Sequence, residues 1–366
     1  MPASPGLRTP LRNVAAVALL LATMIATATF ATTAAAAPVA GTVPGAEWKR
    51  IASPESVGWS SDKLALAREH SKSLDTAAVM LVVNRRVLDE WGRTDERFNI
   101  HSIRKSILSS LMGMAVAKGQ IRIDATLGEL GVDDNEPALT ASEKRATVAD
   151  LLKSRSGVYH PALYETPAMA AARPARGSHA PGSFWYYNNW DFNALNTIYE
   201  ARTKTSIYTA FATQLAKPLQ MQDWRAQDGS YYTGKESIHA AYPMRMSARD
   251  LARFGLLYLR RGRWAGKQVV PAQWVRQSLQ PYSDTGADGG YGYMWWVAVD
   301  GRHLPHIRVP AGTFSAQGFG GHMVVVVPAY DLVVVHRVNT DGSTQHVSDV
   351  QFARLLQMIL DARVSQ

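Results

Sequence analysis

Strand-forming runs lie at the two ends of this 366-residue chain and helical periodicity fills the middle, which leaves few ways to bury the apolar surface. Near the N-terminal end, "AAVMLVVNRRVLDEWG" contains two β-type runs joined at Asn84-Arg85-Arg86, the pattern of a hairpin. Beyond residue 290 come "YGYMWWVAV", "AGTFSAQG", "HMVVVVP" and "DLVVVHRV", with tight-turn signals at 318–321 and 328–331. Between them, "TVADLLKSR", "WDFNALNTIYEART", "SIYTAFATQLAKPL" and "SARDLARFGLLYLRRG" repeat apolar residues at three-to-four spacing. Strand runs that flank a helical middle are buried together when both ends pair into one sheet and the middle packs beside it. The expected fold class is therefore α/β. An antiparallel sheet comes from about 76–92 and 290–340, flanked by helices, with a mostly helical subdomain over about 102–280. "SSDKLALAREHSKSL" and "HVSDVQFARLLQMILDA" add amphipathic helices near the two ends.

The first residues stand apart. "MPASPGLRTPLRN" carries Arg8 and Arg12 without an acid and runs into "VAAVALLLATMIATATFATTAAAA", the layout of a signal peptide over 1–36 with small-residue cleavage sites near Ala34 to Ala37. An uncleaved anchor is the alternative reading, because the apolar run approaches bilayer-spanning length. Both readings imply an extracytoplasmic protein, secreted or periplasmic, with membrane contact only if the leader is retained. A Pro/Gly linker is expected over 37–54 and one folded domain over 55–366. The chain has no cysteine, so the fold stands without disulfides. Net charge is +9, spread over pairs such as Arg85-Arg86, Arg104-Lys105 and Arg260-Arg261. No basic run or aromatic-basic motif marks a nucleic-acid partner.

At "FNIHSIRKSILSSLMGMAVAKGQ", Ser102 stands three residues before Lys105, ahead of an uncharged run over 107–117. Residues i and i+3 share a helix face, so the serine oxygen and the lysine amine can meet. A cation in a first helical turn opposes the helix dipole, and burial lowers its pKa further, leaving an amine able to take the serine's proton. Free N–H groups at the same helix start suit an oxyanion. A chain of this length shows about one Ser-x-x-Lys by chance, and there is a second, Ser60 to Lys63. That one opens a short helix with scattered charges, where serine is an ordinary N-cap. The Ser102 helix is apolar nearly all round and belongs in the core.

A serine–lysine pair needs a group that passes the proton to the leaving group, and a tyrosine in "PGSFWYYNNWDFN" offers one. The order "SIRK", "LLKSRSG", "PGSFWYYNN", "MSARDLARFGLLYLRRGRWAGKQVVP", "GYGYMWW" and "GFGGHMVVVVP" resembles the serine β-lactamase-like hydrolases. That family includes class C β-lactamases, DD-peptidases, carboxylesterases of the same fold and 6-aminohexanoate-dimer hydrolases. The resemblance runs from about Glu55 to the C-terminus. It implies Ser102, Lys105 and Tyr187 as the catalytic set, since the family's tyrosine falls six residues after the proline of a Pro-Gly pair and Pro181 sets that count. It also implies Asn189 as an amide partner of substrate. Tyr186 with Asn188 is the overlapping alternative. Trp185 and Trp190 are expected to pack in the core or cleft wall.

The family's Lys-Thr-Gly strand is replaced here by Gly318-Phe319-Gly320, without cation or hydroxyl. The Phe319 N–H still suits an oxyanion hole, which needs only main chain. What is missing is the pair of groups that would hold a penicillin or D-Ala carboxylate. The expected activity is therefore hydrolysis of an ester or amide through a Ser102 acyl-enzyme, on a small-molecule or peptide-like substrate, with no cofactor. A β-lactamase or D-Ala-D-Ala carboxypeptidase is the alternative, and a non-catalytic penicillin-sensing or wall-binding protein the second. His322, after the Gly-Gly turn, is a weak further candidate for the cleft. No Gly-x-Ser-x-Gly elbow occurs, and His303 and His306 lack the HExxH spacing of a metal site.

Overall fold

The computed structural model describes residues 43–342 and 344–364, so the leader expected over 1–36 and the linker's first residues lie outside the described residues. Eight strands form one antiparallel sheet: β1 (Thr76–Val83), β2 (Arg86–Gly92), β3 (Ser283–Asp284), β4 (Gly290–Tyr291), β5 (Trp296–Val297), β6 (Phe314–Gly318), β7 (His322–Val327) and β8 (Leu332–Val338), in the order β2-β1-β8-β7-β6-β5-β4-β3. The two ends of the chain meet where β1 pairs with β8, from Thr76 opposite Val338 to Val83 opposite Leu332. Asn84 and Arg85 join β1 to β2 with φ of 50° and 63°, the left-handed pair that a two-residue hairpin turn requires.

Both faces of this sheet are covered, which is why its strands read as unbroken apolar runs. Ala78, Met80, Val82, Val324, Val326, Val333 and Val335 point into the larger core, shared with the central helices. Val79, Leu81, Val325, Leu332 and Val334 point the other way. There they meet the first helix, α1 (Ser61–Ser71), and the last, Asp349–Asp361. Within the larger core lie α2 (Ile103–Ala117), α3 (Asn189–Thr203) and α4 (Ala248–Leu259). Every residue of α2 from Ile103 to Ala115 is buried, the uncharged run from Ile107 onward and, at its start, the two cations Arg104 and Lys105. α4 lies close on the sheet: a side chain at Gly255 would meet Val333 at 2.6 Å.

Residues 43–54 depart from the linker expected over 37–54. Val43 and Trp48 pack on the larger core, and buried Arg253 donates to the carbonyls of Gly45 and Ala46 at 2.9 and 3.0 Å. A guanidinium at 0% exposure needs acceptors, and this strap supplies them. Among the described residues no helix is long and apolar enough to cross a membrane.

Candidate active site

Ser102 occupies the N-cap of α2 but makes no capping hydrogen bond. At α1, by contrast, Ser60 accepts from the Lys63 N–H at 3.3 Å, the ordinary use of a serine there. The Ser102 oxygen lies instead 2.6 Å from Lys105 Nζ, with the Tyr187 phenol beside it. Lys105 is 2% exposed, and Nζ sits 4.8 Å from the ring centre of Tyr187 and 4.9 Å from that of Phe192. Among the described residues no carboxylate pairs with it. A desolvated cation gains up to about 2 kcal/mol from an aromatic face. The effective penalty for a buried ion without a countercharge is several kcal/mol. Burial, with the neighbouring Arg104 charge adding to it, therefore holds the Lys105 amine well below the usual lysine range. Burial moves Tyr187 the opposite way, up to about 12, so its phenol keeps its proton at neutral pH. An amine whose charged form is disfavoured and a phenol that keeps its proton thus stand at one serine.

The "LLKSRSG" motif holds the tyrosine loop in place. Ser154 Oγ donates to the Tyr186 carbonyl at 2.6 Å and accepts from the Asn188 N–H at 2.9 Å, while Arg155 Nε donates to the Gly182 carbonyl at 2.9 Å. Ser156 Oγ donates to Asp191 at 2.5 Å, the acid just inside α3. These bonds separate the two candidate tyrosines. The Tyr186 hydroxyl turns away to the Met169 carbonyl at 2.8 Å, whereas Tyr187 lines the cavity with Ser102. Trp296 of "GYGYMWW" stacks on Tyr187 at 5.8 Å, and Ser106 donates to the Met294 carbonyl at 2.7 Å, pinning that segment to α2. Asn188 is the N-cap of α3, with its side chain spent on Trp190 N–H, Val158 O and Asp191. Asn189 donates to the Tyr164 carbonyl at 2.7 Å and lines the cavity. Trp185 rests on Tyr291 and Trp296, and Trp190 is fully buried, donating to Asp134 at 2.6 Å.

Gly318, Phe319 and Gly320 form the opposite wall. A Cβ at Gly318 would stand 2.5 Å from the Ile100 carbonyl and 3.4 Å from the His101 Cβ, so the absence of a side chain lets the end of β6 lie against the segment that carries the nucleophile. Gly320 has φ of +84°, which favours glycine. Phe319 is 58% exposed and its ring stands edge-on to His101. In Gly318→Ala the strand end is pushed off the Ile100 carbonyl. The expected outcome is a turnover loss of about tenfold or more in a protein that still folds, measured by steady-state kinetics beside a circular-dichroism melt.

His322 is placed elsewhere than the cleft. It is fully buried behind the turn, off the cavity wall, with its ring on Arg337 and Thr340. The sequence reading also missed cavity residues. Arg104, which the sequence shows only as one of several basic pairs, is 1% exposed, lines the cavity, and has its guanidinium between the rings of Tyr164 and Tyr242 at 4.9 and 5.1 Å. Tyr164 and Glu165 come from the irregular loop after Val158, which has no periodicity to read, and Met169 from the short helix Pro167–Ala172 that follows it. Together these groups enclose about 590 Å³ beside Ser102, room for a small organic substrate. Among the described residues no cluster of His, Asp or Glu is arranged to hold a metal ion.

Comparison with known proteins places this arrangement. The profile of the Beta-lactamase family matches residues 62–358. An uncharacterised protein of Alkalihalophilus pseudofirmus is 25% identical over 315 residues, covering 75% of this chain and 88% of that protein. Among solved structures, a Bacillus anthracis protein proposed to be a 6-aminohexanoate-dimer hydrolase superposes with a TM-score of 0.62 at 20% identity, over 82% of this chain and 83% of its own. A family VIII carboxylesterase superposes with a TM-score of 0.58 at 15% identity, over 83% and 99%. At these identities the two structures establish the fold.

Proposed function

The chain belongs to the Beta-lactamase family and is a serine hydrolase of that superfamily, and from this premise we propose that it cleaves a carboxylic ester or an unactivated amide through an acyl-enzyme on Ser102. The observation that carries the proposal is the 2.6 Å approach of a buried, charge-depleted Lys105 amine to the Ser102 oxygen. In acylation, Lys105 takes the Ser102 proton as Oγ bonds to the carbonyl carbon, and the oxyanion is received by the N–H groups of Ser102 and Phe319. Tyr187, protonated at neutral pH, gives its proton to the departing oxygen or nitrogen and recovers one from Lys105. Water then attacks the acyl carbonyl. Lys105 is the base for that step, because Tyr187 is pushed up to about 12 and holds its proton.

The ester or amide preference rests on the Gly318-Phe319-Gly320 turn, which puts an aromatic ring where a carboxylate-binding lysine and hydroxyl would stand. A carboxylesterase and a protein proposed to be a 6-aminohexanoate-dimer hydrolase share the fold, which supports both ester and amide chemistry on it. Arg104 favours one competing reading, since a buried cation at the cavity wall is what a D-Ala terminus or a β-lactam carboxylate would need. Its guanidinium faces are occupied by Tyr164 and Tyr242 and one N–H by the His101 carbonyl, which weighs against that use. The signal-like segment over 1–36 supports action outside the cytoplasm. A side-by-side screen of p-nitrophenyl esters, nitrocefin, D-amino-acid amides, a D-Ala-D-Ala peptide and 6-aminohexanoate dimer tests the assignment. Turnover of an ester or linear amide without nitrocefin or D-Ala-D-Ala cleavage is the expected pattern, and the reverse pattern contradicts it.

A further inference from the structure

Behind the two walls of the site runs a chain of side chains that none of the chemistry above uses, buried at Arg337 and His322 and half-buried at Thr340 and His101. Arg337 Nε donates to His322 Nδ1 at 2.9 Å, His322 Nε2 lies 3.2 Å from Thr340 Oγ1, and Thr340 Oγ1 lies 2.8 Å from His101 Nε2. The direction of every bond follows from its first member. A guanidinium has only donors, so His322 Nδ1 is an acceptor and the single proton of the neutral ring is on Nε2. That proton goes to the Thr340 oxygen. The threonine hydrogen is then free for His101 Nε2, which fixes the proton of His101 on Nδ1.

Thr340 is the joint between the two halves of the site. On one side it holds His101, whose φ of +46° is a conformation that non-glycine residues rarely adopt and which immediately precedes Ser102. The main chain of His101 is held as well, its N–H by Asn99 at 3.0 Å and its carbonyl by Arg104 at 2.9 Å. On the other side Thr340 packs under the Phe319 turn, with Cγ2 2.6 Å from where a Cβ of Gly320 would stand. The remaining Arg337 N–H groups reach the carbonyls of Met246, Phe98 and Asn99, at the start of the nucleophile segment. We infer that Thr340, oriented by Arg337 and His322, is a positioning residue that sets the spacing between the Ser102 and Phe319 N–H groups by clamping His101 against the turn.

The inference rests on the Ser102 acyl-enzyme reading. The charged and titratable groups that face the two imidazoles are Arg104, Lys105, Arg337, Asp341 and His336. Burial and these mostly positive neighbours hold His101 down at about 4 and His322 well below its ordinary value, so both rings are in the neutral form that the bond order requires. Protonation of His101 places a donor on Nε2, where Thr340 also donates, and opens the joint.

Two variants separate the hydroxyl from the methyl. Thr340→Val keeps the methyl and puts a second one in place of the hydroxyl, while Thr340→Ser keeps the hydroxyl and removes the methyl. With p-nitrophenyl butyrate as probe, Thr340→Val is expected to lose about 10- to 100-fold in kcat with KM within about twofold. The acid limb of its kcat profile moves to higher pH, because the neutral His101 ring has lost its donor. Thr340→Ser restores both rate and profile. A Thr340→Val rate equal to wild type, or a serine variant as impaired as the valine one, overturns the inference. The rate of labelling by a fluorophosphonate distinguishes the underlying reading. A wild-type chain that is not labelled overturns the acyl-enzyme and the clamp together. A labelled wild type with Thr340→Val labelled at the same rate overturns the clamp alone.

Discussion

In Ser102→Ala, kcat/KM for any substrate the protein turns over falls by about 10⁴-fold or more, while the melting temperature stays within a few degrees of wild type. Both halves of that result follow from how the hydroxyl is used. A serine at a helix start ordinarily caps a backbone N–H, and its loss costs about 1 kcal/mol. Ser102 makes no such bond; its oxygen is held by Lys105, with Tyr187 beside it. Removing it deletes the nucleophile and leaves α2, buried from Ile103 to Ala115, with its packing intact. Steady-state rates and a thermal melt on the same preparation check the pair of outcomes. Retained turnover would remove the nucleophile from the mechanism, and a collapsed melt would assign Ser102 to structure instead.

Lys105→Met is expected to lose about 10³-fold in kcat/KM and at the same time to raise the melting temperature at pH 7. The gain has a definite sign. Folding holds the Lys105 pKa well below 10.5, so between the folded and unfolded values the unfolded chain binds a proton that the folded chain does not. Stability lost to Lys105 is therefore recovered as pH rises toward 10.5, and the advantage of methionine shrinks over the same range. Methionine matches the unbranched shape of lysine among Tyr187 and Phe192 and needs no hydration. The wild-type enzyme also has an acid limb in kcat/KM, falling off as Lys105 takes up a proton, that Lys105→Met lacks. Melts and rate profiles over pH 5–10 measure these effects. Wild-type turnover in Lys105→Met would remove the proposed base.

How much of this was legible in the sequence depends on how local each feature is. The two-sided sheet follows from runs such as 79–83, 323–327 and 332–335, whose unbroken apolar character signals burial on both faces. The Ser102–Lys105 approach follows from helical spacing alone, and Gly318-Phe319-Gly320 from a glycine pattern beside a strand. Other features depend on contacts between distant segments. The strap over 43–54 has the composition of a linker and is docked by Val43 and Trp48 on the core and by Arg253, on α4, which needs its carbonyl acceptors. Arg104 sits next to Lys105 in the sequence, yet what fixes it is a pair of rings from Tyr164 and Tyr242. Thr340 carries no motif at all. Its role comes from three bonds that join His101, His322 and Arg337 across the sheet edge.

The central claim is a covalent bond between substrate and the Ser102 oxygen. It is tested most directly by exposing the wild-type protein to a fluorophosphonate, or to an ester quenched in acid during turnover, and mapping the added mass by peptide sequencing. The account predicts a single adduct on Ser102, at the start of "SIRKSILSS". An adduct on another residue, or rapid hydrolysis with no trapped adduct at all, would contradict it.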